Sequence, residues 1–169
     1  MATLTLNRKV LTARGTIVYD PKRFIESNSK GKQVVGHKRT DNPWWLVVNC
    51  SDTISAYYRW WIENEILNPL KLDNGIKLGH PMWGSHITVL DGRQDVPVDN
   101  REFWKKHNGE VIEFEYIPMV YQTWKFWSIP VRCKKLDMIR EELGFDAVNK
   151  REASPVTGFN YHITIGRLP

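Results

Sequence analysis

Two four-residue phrases constrain the fold of this chain more than any other feature: His86-Ile-Thr88-Val and His162-Ile-Thr164-Ile. Each sets an imidazole and a hydroxyl two residues apart inside an apolar, β-branched run. Side chains alternate across a strand, so His and Thr at this spacing share one face while the isoleucine between them points to the other. Each phrase therefore reads as a strand with a polar side and a side meant for a core. Of the five histidines, only these two have a hydroxyl two places on. His37, His80 and His107 lack it and read as exposed or helix-end residues.

Facing each other, the two phrases would supply two proton-transfer groups and two hydroxyl donors around one anion. An imidazole titrates near neutrality, so one ring can take a proton while the other delivers one. His86 and His162 are thus the candidate catalytic pair. Thr88 and Thr164 are the candidate donors to the non-bridging oxygens of a phosphodiester. No carboxylate cluster accompanies the histidines and no C-x-x-C or His/Cys ligand spacing occurs, so neither a metal nor a cofactor is expected.

At 169 residues, with 41% hydrophobic and 25% charged, the chain suits one ordered domain over 1–169, with approximate lobes 1–95 and 96–169. No apolar run approaches the roughly 20 residues that span a bilayer. The opening Met1-Ala-Thr-Leu-Thr-Leu lacks the pattern of a secretory signal, so a cytoplasmic protein without a membrane partner is expected. Cys50 and Cys133 read as reduced core thiols, with a disulfide between them left open. The net charge of +5 favours an anionic ligand, the basic residues concentrating early, from Arg8 to Arg39. Nineteen acidic residues argue against a stripe that coats duplex nucleic acid. Eight tryptophans are mostly core material. Three aromatics stand near the motifs or the basic loop, namely Tyr19, Trp83 and Trp124, and are candidate platforms for a nucleobase.

Periodicity orders the rest. Strands are expected over 15–20 and 44–50, with a mobile polar loop over 21–42 between them. Ser51 or Asp52 caps a helix whose apolar stripe runs from Ile54 through Tyr57, Tyr58, Trp61 and Ile62 to Ile66. A loop leads into the strand 86–90. Asp99 or Asn100 is placed to cap a short helix reaching His107. Strands over 110–117 and 122–131 are expected to join around Pro118. Leu136, Ile139 and Leu143 mark a second helix with Gly144 at its end, and 160–167 forms the last strand. The fold class is α+β: two pseudo-symmetric lobes of mainly antiparallel sheet with flanking helices and a central cleft.

The paired phrases, 76 positions apart in a small α+β chain, resemble the two-histidine (2H) phosphoesterase superfamily. The resemblance implies two lobes with both motifs lining a central groove and chemistry that needs no metal. Within the superfamily, the Trp-rich basic chain is similar to the bacteriophage branch that destroys cyclic oligonucleotides of bacterial CBASS immunity. That implies a phosphodiesterase acting on 3′–5′ linkages of cyclic di- or trinucleotides, in the host cytoplasm. The stretch Pro81-Met-Trp-Gly-Ser-His86 departs from the Pro-x-x-x-His pattern of the RNA-ligase-like branch. A 2′,3′-cyclic phosphodiesterase, an RNA-end-processing enzyme and a non-catalytic nucleotide or single-stranded RNA-binding module are the alternatives. Oligomeric state is left open.

Overall fold

A computed structural model describes residues 3–5, 9–21, 25–27, 33–35, 43–70, 75–81, 83–149, 153–154 and 157–169. The strands are β1 (Thr3–Thr5), β2 (Leu11–Tyr19), β3 (Ile25–Ser27), β4 (Gln33–Val35), β5 (Leu46–Cys50), β6 (His86–Leu90), β7 (Val111–Tyr116), β8 (Met119–Thr123), β9 (Phe126–Arg132) and β10 (Tyr161–Arg167). The helices are α1 (Asp52–Trp61), continued by a π-helical turn over Ile62–Leu67, and α2 (Lys134–Glu142).

Six strands close into an antiparallel barrel in the order β9-β10-β6-β5-β2-β7, with β7 pairing back onto β9. β8 also pairs with β9, and β1 adds to the free edge of β8. β3 and β4 form a separate small hairpin within the expected 21–42 loop, the rest of which, apart from 21, lies outside the described residues until Pro43.

The alternation read from the sequence closes the core. Ile17, Val48, Ile87, Ile163 and Ile129 pair successively across five strands, and every one of them is fully buried. Cross-strand pairs of this kind are the unit that stabilises a sheet. Tyr58 from α1, Ile62 from the π-helical turn that continues it, and Leu136, Ile139 and Leu143 following the stripe of α2, join the same core. Ser51 caps α1, its side chain accepting from the Thr53 N–H. Gly144, at φ +85, ends α2 in the left-handed conformation that glycine adopts without strain.

Three expectations change. The halves are not separate sheets: β2, β5 and β6 form one arc of the barrel and β7, β9 and β10 the other, hydrogen-bonded at both seams, β6 with β10 and β2 with β7. The helix expected to reach His107 is only a 3-10 turn over Arg101–Phe103. Its intended cap, Asn100, donates instead to the Glu142 carbonyl at the end of α2, and Lys105 has φ +69, which no helix continues through. Pro118 is not the hairpin turn. It bends one long strand whose two parts, β7 and β8, both pair with β9, and the chain reverses at Trp124-Lys125.

Candidate active site

β6 and β10 are antiparallel neighbours in register at Ile87 and Ile163. That single pairing sets His86 opposite Thr164 and Thr88 opposite His162, all on the face away from the core. Directly opposed residues bring their Cβ atoms within about 5 Å, and the diagonal between the two histidines is roughly 7–8 Å. Residues separated by most of the second half of the chain thus become a compact square of two imidazoles and two hydroxyls. His86 is buried, whereas Thr88, His162 and Thr164 are half-buried.

The same register extends the polar row on both sides. Thr16 pairs with Asn49 and Asn49 with His86, while Thr164 pairs with Ser128 and Ser128 with Tyr121. Cross-strand partners share a face, so Asn49 and Ser128 flank the square directly. Neither was legible beforehand: Asn49 lies at the end of an apolar run, and only the pairing of β5 with β6 reveals its neighbour. His162 has Pro130 beside it instead, so the two histidines have unlike surroundings.

The proton on His86 is placed by its backbone. Nδ1 lies 2.9 Å from the Gly84 carbonyl, which can only accept, so Nδ1 carries the hydrogen and Nε2 keeps a lone pair. Gly84, at φ +70, turns that carbonyl toward the ring. Asp52, at the start of α1, holds the turn by accepting from the Ser85 N–H at 2.9 Å. Burial drives the His86 pKa down from 6.5 to about 4; the Gly84 carbonyl opposes this, and the nearby His162 charge adds to it. His86 is therefore neutral at pH 7, with a basic nitrogen available.

The expected aromatic platforms separate. Trp83 stands edge-on to His86, with ring centroids 5.2 Å apart, and packs against Trp45 at 4.7 Å. It forms part of the wall that dries His86, and its buried indole N–H finds no partner among the described residues. Trp124 is 73% exposed at the β8–β9 turn. It lies four residues along from Ser128, roughly 13 Å of strand, and so outside the square. Tyr19 is buried in the core and packs edge-on against Trp104. Its phenol has been pushed up to about 12 by burial.

Most of the early basic cluster lies outside the described residues; Arg14, which is described, is exposed and pairs with Glu113. Cys50 and Cys133 are free thiols. Burial raises both, Cys50 to about 12, which leaves them unreactive. A cleft of about 790 Å³ between β7, β9 and the start of α2, lined by Glu113, Arg132, Asp137 and Phe159 among others, includes none of the four motif residues. Among the described residues, no helix is long and apolar enough to cross a membrane. No family model matches the chain, and no curated protein or solved structure does either.

Proposed function

We propose that this protein is a metal-independent phosphodiesterase of the two-histidine type that opens 3′–5′ linkages in cyclic di- or trinucleotide immune signals. The observation that carries this reading is the Ile87–Ile163 pairing, which sets each histidine against the other motif's threonine. His86, neutral and with its Nδ1–H engaged, is the base. Its Nε2 takes the proton of the ribose 2′-hydroxyl as that oxygen attacks phosphorus. His162, at the opposite corner, is the acid and delivers a proton to the 5′ oxygen as the P–O5′ bond breaks. The products are a 2′,3′-cyclic phosphate and a free 5′-hydroxyl. Each proton transfer contributes about 10²–10⁴-fold. Thr88 and Thr164 donate to the non-bridging oxygens, where negative charge grows in the transition state. A repeated chain order supports two related halves: β2, β5, α1, β6 in the first and β7, β9, α2, β10 in the second.

The test is chromatography after incubation in EDTA with 3′,3′-cyclic GMP–AMP, cyclic tri-adenylate and adenosine 2′,3′-cyclic monophosphate. Cleavage of a cyclic oligonucleotide is expected, with His86→Ala and His162→Ala each reducing turnover by at least about a hundred-fold while remaining folded. Opening of the monophosphate alone would move the protein to RNA-end chemistry. Either alanine variant retaining wild-type turnover would overturn the mechanism.

A further inference from the structure

Each motif strand carries a β-bulge immediately after its threonine. In the pairing of β6 with β5, Thr88 faces Val47 and Leu90 faces Leu46, so Val89 has no residue opposite it. In the pairing of β10 with β9, Thr164 faces Ser128 and Gly166 faces Trp127, so Ile165 is the extra residue. A bulged residue drops out of the ladder, and its strand bends there. Val89 and Ile165 are fully buried, and a buried carbonyl without a partner is costly.

In both strands an arginine from the helix of the opposite half takes up that carbonyl. Arg59 of α1 donates from Nε and Nη2 to the Ile165 carbonyl, at 3.2 and 3.1 Å. Arg140 of α2 donates from Nη1 to the Val89 carbonyl at 2.6 Å and from Nε to the Asp146 carbonyl at 2.9 Å. The contacts are reciprocal: the first half's helix holds the second half's motif strand, and the second half's helix holds the first's. The ends before the histidines are tied by each half's own helix. Asp52 accepts from the Ser85 N–H, and Asp137 accepts from the Asn160 amide and the Tyr161 hydroxyl, each at 3.0 Å.

We propose that Arg59 and Arg140 are a reciprocal pair of positioning residues that brace the two bulges and so fix the path of the motif strand that carries each histidine together with its threonine. The proposal rests on the catalytic reading of the square for its effect on turnover, but the bracing itself can be measured without turnover. A single long side chain with five fixed donors suits a carbonyl displaced from its ladder, and lysine can replace only part of that geometry. Arg59 also reaches the His80 ring, so its substitution is read together with that of Arg140.

The experiment compares Arg59→Met, Arg59→Lys, Arg140→Met and Arg140→Lys, with kcat and KM measured on 3′,3′-cyclic GMP–AMP in EDTA and the imidazole resonances recorded on histidine-labelled protein. Folded methionine variants are expected to lose about ten- to a hundred-fold in kcat with KM little changed, and lysine is expected to restore part of the loss. The resonances should cross over: Arg59→Met moves those of His162, and Arg140→Met moves those of His86. Wild-type kcat, or both histidines keeping wild-type resonances in folded methionine variants, would overturn the proposal. Arg140 is buried, so should Arg140→Met not fold, Arg59→Met is read beside Arg140→Lys. A wild-type protein that cleaves nothing would defeat the catalytic reading, and the resonance crossover would still decide the bracing.

Discussion

At His86 the Gly84 carbonyl and the burial of the ring act in opposite directions on the proton, and burial wins. A histidine with a depressed folded pKa stabilises the native state while neutral. Below 6.5 the unfolded chain takes up a proton that the native ring refuses until about pH 4. Stability from this group is therefore fully present above 6.5 and is lost as pH falls through that window, by roughly 3 kcal/mol in total. Urea unfolding at pH 7 and pH 4.5 should show this loss in the wild type and a smaller one in His86→Ala; equal losses would show that His86 is not the group responsible. The same depression places the acid limb of kcat/KM near pH 4 rather than near 6.5, as a property of the coupled pair.

Among the elements, β6 was legible to the residue, because His86–Leu90 alternates cleanly and is bounded by a Gly-Ser turn and Asp91-Gly92. The turn before it was legible only as a loop, yet it determines the tautomer of His86. Gly84→Ala should expose that dependence. A Cβ there would meet Asp52 Oδ1 at 3.0 Å on a backbone at φ +70, and the left-handed conformation alone costs an alanine about 1–2 kcal/mol. A lower melting temperature together with a fall in kcat beyond what partial unfolding explains is the expected outcome; unchanged kcat would mean that the Gly84 carbonyl does not orient the ring. The segment 101–107 misled because Asn100 looks like a cap in sequence. Its side chain is used by α2, a contact between residues 42 apart that no local pattern announces.

For the whole molecule, the segment between β6 and β7 is tied to α2 by charge. His107 bridges Glu110 and Glu142, at 2.8 and 2.7 Å, and Lys135 and Lys106 pair with the same two carboxylates. Lys135 chiefly, then His107, holds Glu110 below the usual carboxylate range, and Lys106 does so first for Glu142. Carboxylates with depressed pKa values stabilise the fold above about 4.5 and lose that contribution as pH falls through their folded values. A second acid contribution, setting in as pH falls below about 4.5, is therefore expected, shallow because both groups are partly solvated. Glu142→Gln should weaken it in acid titrations monitored by tryptophan fluorescence; an identical acid limb in the variant would assign the contribution elsewhere.

The sequence by itself determined the strands' alternation, the two helices with their cap and terminating glycine, and the identity of the four motif residues, because each of these depends on neighbours within a few positions. The tertiary structure alone decided that β6 lies beside β10 in one closed barrel, that the pairing crosses His86 with Thr164, and that Asn49 and Ser128 stand beside them. It also decided that Tyr19 is core and that Arg59 and Arg140 reach across the halves. The physical reason is register. A strand's two faces follow from a period of two along its own chain, but its partner and offset follow from which apolar faces can be buried together across the entire fold.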